Sequence, residues 1–298
     1  MDRKFILSCC STVDLPYTYM ESRQIPVLCY TYMVDGVEHE DDMGRDPQSR
    51  PRFYQMLAQG KLPQTSQINV ARYTEFFEML LKQGDVLHLA FTSGQSASVN
   101  NAYIAARELR EKYPERKLVV VDSLCSSSGY GLLVDMVADL RDNGATIEEA
   151  EAWALQNRNK VHHQFFSSNM TQFHRTGRVS GAAAAVATVL NICPLMRLDA
   201  AGAIKAYDKV RGKKKAIAAT VEAVAAHAQG GTDYDGRMWV CHSECPEDAR
   251  MMIDALEARF PKERERIRLC NIGPVIGSHA GTGTVAVFFM GDERPVMD

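Results

Sequence analysis

Hydrophobic and polar positions follow two different regimes along the chain. Up to about residue 160, short apolar runs alternate with stretches in which apolar residues recur every three or four positions. Phe5–Ser8, Pro26–Met33, Val86–Phe91 and Leu118–Asp122 read as strands, and the near-continuous apolar run at 86–91 is the pattern of a strand buried on both faces. Val70, Tyr73, Phe76, Phe77, Leu80 and Leu81 keep helical spacing behind Asn69, which is placed to cap them, and Gly84 closes the helix. Val99, Ala102, Tyr103, Ala106 and Leu109 mark a second helix after the polar break at 92–96. A third follows Ser126-Ser127-Ser128 and ends at Asn143-Gly144, and Thr146 with Glu149 forms a capping box for a fourth. Short strands separated by helices of this length predict a parallel sheet with helices on both faces.

Beyond residue 160 the order changes. His162–Ser168 reads as a strand, His174–Arg178 as a basic turn and Ala182–Leu190 as a small-residue helix. Ile192–Leu198 and Ala203–Val210 flank the turn Asp199-Ala200-Ala201-Gly202 as a hairpin. Lys213–Gln229 and Glu247–Phe260 read as helices, Met238–His242 and Arg268–Ile272 as strands. Val275–Ser278, a glycine-rich turn and Thr284–Met290 complete the pattern. The expectation is therefore an α/β chain: an N-terminal parallel-sheet domain over 1–160 and a C-terminal α+β domain over 161–298. Pro47-Gln48-Ser49-Arg50-Pro51, after the acidic Glu40-Asp41-Asp42, reads as a surface excursion.

Composition narrows the function classes. A chain of 298 residues suits two domains, and 46% hydrophobic with 24% charged residues excludes long disorder. Thirty-four basic against 37 acidic residues leave −3, so no bulk attraction to nucleic acid or anionic membrane is expected. The apolar stretch at the start is too short for a secretory signal. The longest uncharged run, between Arg178 and Arg197, is interrupted by Ser180, Gly181, Thr188, Asn191 and Pro194, so it reads as a buried helix and a strand rather than a membrane span. Eight cysteines are too sparse for a disulfide scaffold, which points to free thiols in a reducing cytoplasm. No metal or cofactor is expected. Cys241-His242-Ser243-Glu244-Cys245 lacks a second Cys/His pair at structural-zinc spacing, His162-His163 reads as a strand start, and Asp41-Asp42 as a solvated turn. Adjacent Cys9 and Cys10 read as buried thiols, and the expected assembly is a monomer.

Three polar loops gather the candidate chemistry: Pro63-Gln64-Thr65-Ser66-Gln67, Thr92-Ser93-Gly94, and His279-Ala280-Gly281-Thr282-Gly283-Thr284. Open α/β sheets bind ligands beyond the carboxyl ends of their strands, and helix N-termini favour anions. Hydroxyls beside such amides suit one small anionic group. Taken singly, Ser66 and Ser96 read as helix caps, and Gly281-Thr282-Gly283 matches neither a Walker loop nor a dinucleotide fingerprint. Ser93 with His279 and an acid such as Asp14 or Asp122 is the set a hydrolase would need, but the Gly-x-Ser-x-Gly elbow is missing.

Taken together, the order of motifs is more specific. Ser11-Thr12-Val13-Asp14-Leu15-Pro16, Asp41-Asp42, Pro63-Gln64-Thr65-Ser66-Gln67, Thr92-Ser93-Gly94, Val121-Asp122-Ser123, Arg175-Thr176-Gly177-Arg178-Val179-Ser180 and Ile276-Gly277-Ser278-His279-Ala280-Gly281-Thr282-Gly283 follow one another as in the DegV family, which the chain resembles over nearly its whole length. The resemblance implies a non-catalytic, two-domain protein that holds one long-chain fatty acid between its domains. It also implies a partner, a separate fatty-acid kinase that phosphorylates the presented carboxylate. By the same resemblance the carboxylate contacts fall on Thr65 with neighbouring Ser66, on Ser93 with the backbone amide of Gly94, and on His279. Kinase docking falls on Arg178 and on Arg211, beside Lys213-Lys214-Lys215. The chain departs from the family's Thr-Asp-Ser-Thr in having Cys10 in place of the Asp, and Gln95-Ser96-Ala97-Ser98 stands where many members read Leu-Ser-Gly-Thr. Residues around Asp46–Arg52 lengthen the segment before Thr65 and are expected to cover the pocket. Burying ~14 methylenes at ~0.8 kcal/mol each contributes about 11 kcal/mol, so the tail should dominate affinity and the head-group loops should set orientation. A lipid or small-acid sensor without a kinase is the alternative reading.

Overall fold

The computed structural model describes residues 3–179 and 191–297. Its first sheet is parallel throughout, in the order β2-β1-β6-β7, with β1 Ile6–Cys10, β2 Val27–Leu28, β6 Val86–Ala90 and β7 Leu118–Asp122. Every residue of β6 is buried, so both faces of the sheet are covered. On one side α3 (Val70–Leu81) and α4 (Ser98–Lys112) pack together, with Tyr73, Phe76, Phe77, Leu80 and Leu81 turned inward as their spacing predicts. Asn69 accepts the Arg72 amide at 2.9 Å and starts α3. α5 (Ser127–Asp142) and α6 (Ile147–Asn157) pack together elsewhere on the sheet, α6 opening on the Thr146/Glu149 capping box.

The second sheet runs β10-β9-β8-β13-β11-β12. Its strands are β8 Val161–Ser167, β9 Ile192–Leu198, β10 Ile204–Arg211, β11 Trp239–His242, β12 Arg268–Asn271 and β13 Thr284–Met290. All neighbours are antiparallel except β11 and β12. Helices α8 (Lys213–His227) and α9 (Pro246–Arg259) pack against one another and against this sheet. Helix α5 touches β8, β11 and β13 as well as β1, so it lies between the two sheets. Two glycines make that position possible. A Cβ on Gly129 would meet the His163 ring at 2.4 Å and Phe288 at 2.7 Å, whereas one on Gly131 would meet the Val13 carbonyl at 2.7 Å. Each glycine costs about 1 kcal/mol of helix propensity relative to alanine, and close packing on two sides offsets it.

Two expectations are corrected. Pro26–Met33 is not one strand: β2 ends at Leu28, and β3 (Thr31–Val34) turns through Asp35-Gly36, both at positive φ, into β4 (Val37–Glu40). This hairpin and β5 (Gln64–Thr65) form a separate antiparallel sheet, β4-β3-β5. An Asp-Gly pair between alternating residues is a strong hairpin signal, so that element was present in the residue pattern. The excursion at 47–51 leads directly into helix α2 (Ser49–Ala58), whose Phe53 and Tyr54 are buried. Val275–Ser278 belongs to a helix, α10 (Pro274–Ala280), begun by Pro274, because proline at the first helical position loses no needed N–H. The predicted helix at Ala182–Leu190 lies outside the described residues. A further helix, α7 (Thr171–Thr176), occupies most of the expected basic turn and ends on Gly177 at φ +66°. Among the described residues no helix is long and apolar enough to cross a membrane.

Candidate functional site

A cavity of about 270 Å³ lies beyond the carboxyl ends of β1, β6 and β7, between the first sheet and the second. This is where an open α/β sheet offers space to a ligand. Phe91, Phe165, Leu198, Ile204, Val275 and Phe288 give it apolar walls. Polar groups gather from other elements: Thr65 at the end of β5 and Ser66 after it, Ser96 before α4, His279 near the end of α10, and Arg178 after α7. Apolar walls with few placed polar groups are the usual composition of a small-molecule site.

The pair at the centre of the polar end is Thr65 and His279. Thr65 Oγ1 lies 2.8 Å from His279 Nε2, although 214 residues separate them. One strand pairing and one helix–helix contact bring them together. β5 pairs with β3, Tyr32 opposite Thr65, which fixes the threonine. Helix α10 is held from behind by α2, where a Cβ on Gly277 would come within 2.8 Å of both Phe53 and the Tyr54 hydroxyl. Tyr54 donates to the Ile272 carbonyl just before α10. Burial first, then the charges of Arg178 and Arg175, push the His279 imidazole down to about 4, so it is neutral at neutral pH. Its Nδ1 is buried without a hydrogen-bond partner among the described residues, as are the hydroxyls of Thr12 and Tyr30, which also line the cavity.

The other predicted contacts sort differently. Ser66 lines the cavity. Ser93 and Gly94 are not among the residues that line it; the loop after β6 contributes Gln95, Ser96 and Ala97. Ser93 is exposed, and its amide donates to Asp122. Gly94 sits against the turn at 199–202, where a Cβ would meet Gly202 backbone at 2.4 Å. Thr92 and Gln95 both donate to the Gly202 carbonyl, so this stretch is a seam between the two sheets' loops. Arg178 is exposed and lines the cavity; Arg211 is exposed at the end of β10. No residue of 46–52 lines the cavity, and α2 supports α10 rather than covering the pocket.

Asp41 is buried, not solvated, and this too corrects the expectation. It stands beside Asp14 around Gly273, where a Cβ would lie 2.8 Å from Asp14 Oδ1 and 3.3 Å from Asp41 Oδ1. Asp14 accepts from the Ser127 hydroxyl at 2.5 Å and from the Gly273 amide at 2.9 Å, tying the first turn of α5 to the residue before α10. Burial pushes the Asp14 carboxyl up to about 7, and burial together with Asp14 raises Asp41. The eight cysteines are all free. His163 is a satisfied core residue: Nε2 accepts from the Ser126 amide, so Nδ1–H donates to the Val161 carbonyl.

The sequence profile of the family described as "Uncharacterised protein, DegV family" matches residues 10–292. The chain belongs to the DegV family. It is 34% identical to the DegV domain-containing protein CPE0026 of Clostridium perfringens over 294 residues, 98% of this chain and 99% of the relative. Among solved structures, a DegV lipid-binding protein of Thermotoga maritima, TM1468, superposes with a TM-score of 0.81 at 26% identity, covering 98% of this chain and 99% of the other. A second Thermotoga maritima protein, TM841, said to reveal fatty-acid-binding function, gives a TM-score of 0.79 at 25% identity, with 97% and 100% covered. The parallel sheet joined to a sheet-rich C-terminal part is thus the fold of DegV proteins.

Proposed function

We propose that this DegV protein binds a long-chain fatty acid in the cavity between its sheets. The acyl tail lies among Phe91, Phe165 and Phe288, the carboxylate meets Thr65, Ser66 and Ser96, and His279 stands behind Thr65 and orients its hydroxyl. The observation that carries this reading is the Thr65–His279 pair at one end of an otherwise apolar cavity. Lipid and fatty-acid binding by the two Thermotoga maritima relatives supports it. The chemistry is coherent. A carboxylate only accepts hydrogen bonds, so Thr65 must donate its hydroxyl proton to it. The neutral His279 then supplies Nε2–H to Thr65 Oγ1, which frees that hydroxyl to point at the acid. Arg175 and Arg178 add positive potential at this end.

The protein is not the catalyst in this reading. It works in the cytoplasm as a monomer, without a cofactor, and offers the carboxylate to a separate fatty-acid kinase that docks on Arg178 and Arg211. Protein purified from a bacterial host should release a long-chain fatty acid into an organic extract, detected by mass spectrometry. Delipidated protein should take the acid up again at one per chain and yield acyl phosphate when the kinase and ATP are added. Failure of every chain length to bind would overturn the lipid reading. Binding without acyl phosphate would overturn only the kinase step and leave a lipid sensor. The hydrolase reading gains nothing from the geometry, since Ser93 does not line the cavity and His279 is engaged by Thr65.

A further inference from the structure

On the far face of the second sheet, away from the cavity, three side chains converge. Strand β8 alternates its faces: His163 and Phe165 look toward the cavity, so His162 points the opposite way. There it meets His227, the last residue of α8, and Asp292, two residues beyond β13. His162 Nε2 lies 2.9 Å from Asp292 Oδ1, and His227 Nδ1 lies 3.1 Å from the same oxygen. The two rings stack with centroids 5.0 Å apart, and the three ligand atoms all fall within 4.8 Å of one another.

We propose that His162, His227 and Asp292 bind one divalent transition-metal ion, with zinc the best match to the donor set. Two imidazoles and a carboxylate are borderline donors suited to zinc and its neighbours and poorly suited to magnesium or calcium. Donors at 2.0–2.1 Å around a tetrahedral zinc stand about 3.3 Å apart. The two imidazole–carboxylate spacings of 2.9 and 3.1 Å therefore need to open by a few tenths of an ångström, and the spacing between the imidazoles, within 4.8 Å, adjusts through the more exposed His227. The site is asymmetric in a useful way. His162 is buried, while the Asp292 side chain is 58% exposed and that of His227 26%. One ligand is fixed by the core, two can adjust, and the outer side is open for ion entry and for water as a further ligand.

Local sequence permits this approach. A Cβ at Gly291 would lie 2.3 Å from the His227 carbonyl and 2.7 Å from the His162 ring, so only glycine lets the chain pass between them. His162 offers an Nε2 lone pair to the ion once its proton sits on Nδ1. At present Nε2 also contacts the Asp292 carbonyl at 2.9 Å, a contact the ion would replace. The charge of the buried Arg294 opposes a cation here, but its Nη2 is committed to the Leu124 carbonyl and Asn159.

The ion's effect follows from what Asp292 begins. The segment after it runs to the seam between the sheets, with Arg294 donating to Leu124 of the first sheet's loops and the Pro295 carbonyl accepting from Ala200 in the second sheet's β9–β10 turn. A metal at Asp292 pins the root of that strap to β8 and α8. This inference is independent of what fills the cavity.

The test uses the full chain, stripped with a chelator and titrated separately with Zn²⁺ and Co²⁺. Calorimetry should show one ion per chain, and zinc should raise the thermal midpoint. His227→Gln and Asp292→Asn, both at accessible positions, should each weaken binding on the order of tenfold to a hundredfold or more and abolish the thermal shift. Cobalt should show a nitrogen/oxygen spectrum. Absence of saturable binding, wild-type affinity in both variants, or strong sulfur-to-cobalt charge transfer (placing the metal on a cysteine) would each overturn the proposal.

Discussion

At the residue scale, the candidate site depends on which of several similar hydroxyls faces the cavity. Thr65 does because its strand is paired with Tyr32, and Ser96 does because the loop before α4 turns inward after Gly94. Thr65→Ala and His279→Ala should therefore weaken fatty-acid binding by about 1–3 kcal/mol, roughly fivefold to a hundredfold. Ser96→Ala should weaken it as well, while Ser93→Ala leaves it unchanged, all measured by displacement of a fluorescent fatty acid from delipidated protein. Loss at Ser93 with no change at Ser96 would put the acid group on the other side of this loop. Asn69 and the Thr146/Glu149 pair were legible in the residue order because a cap is satisfied within one turn of its own helix. The direction of the Ser93 loop is not legible locally, because it is set by Gly202, more than a hundred residues away.

At the element scale, two helices carry the architecture, and neither role shows in its own periodicity. Helix α5 is buried along nearly its whole length and touches both sheets through Gly129 and Gly131. Gly129→Ala places a methyl group 2.4 Å from His163 and should destabilise the fold by roughly 1–3 kcal/mol, read as a lower denaturant midpoint. An unchanged midpoint would show that the gap between α5 and the second sheet is looser than described. Helix α10, seven residues long, is not legible in the residue pattern because Val275–Ser278 is too short to display a helical period. Its helical state is supported from outside, by Tyr54 on the Ile272 carbonyl and Asp14 on the Gly273 amide. The strands β6 and β7, by contrast, were plain from their apolar runs, since a strand covered on both faces must be apolar throughout.

At the scale of the whole molecule, the buried titratable groups set a pH profile. Burial drives His88 down to about 3, His162 and His279 to about 4, and His163 well below its ordinary range. Unfolded, each of these imidazoles takes up a proton near pH 6.5, so their stability contribution is intact above that value and is lost as pH falls toward 4. Asp14, at about 7, and the raised Asp41 act in the opposite sense. They keep protons that an unfolded chain releases near pH 4, so their contribution is lost as pH rises from about 4 to 7. His242 joins the first group and Glu263 the second, both shifted by burial, so five imidazoles against three carboxyls should make the thermal midpoint rise between about pH 4 and 6.5. Asp14→Asn removes one opposing group and should steepen that rise, which melting curves across the range would reveal; a flatter profile would show that Asp14 is ionised in the folded protein.

The apolar periodicities, the caps and the change of pattern near residue 160 placed most strands and helices, because each depends on neighbours a few residues away. The motif order added the family. Packing between distant segments chose the rest: Thr65 against His279 across 214 residues, Ser96 lining the cavity, Asp41 buried beside Asp14, and His162 meeting His227 and Asp292. These juxtapositions arise where segments far apart in the chain pack against one another. The free energy that selects them is shared among contacts far apart in the chain, and local spacing carries no trace of it.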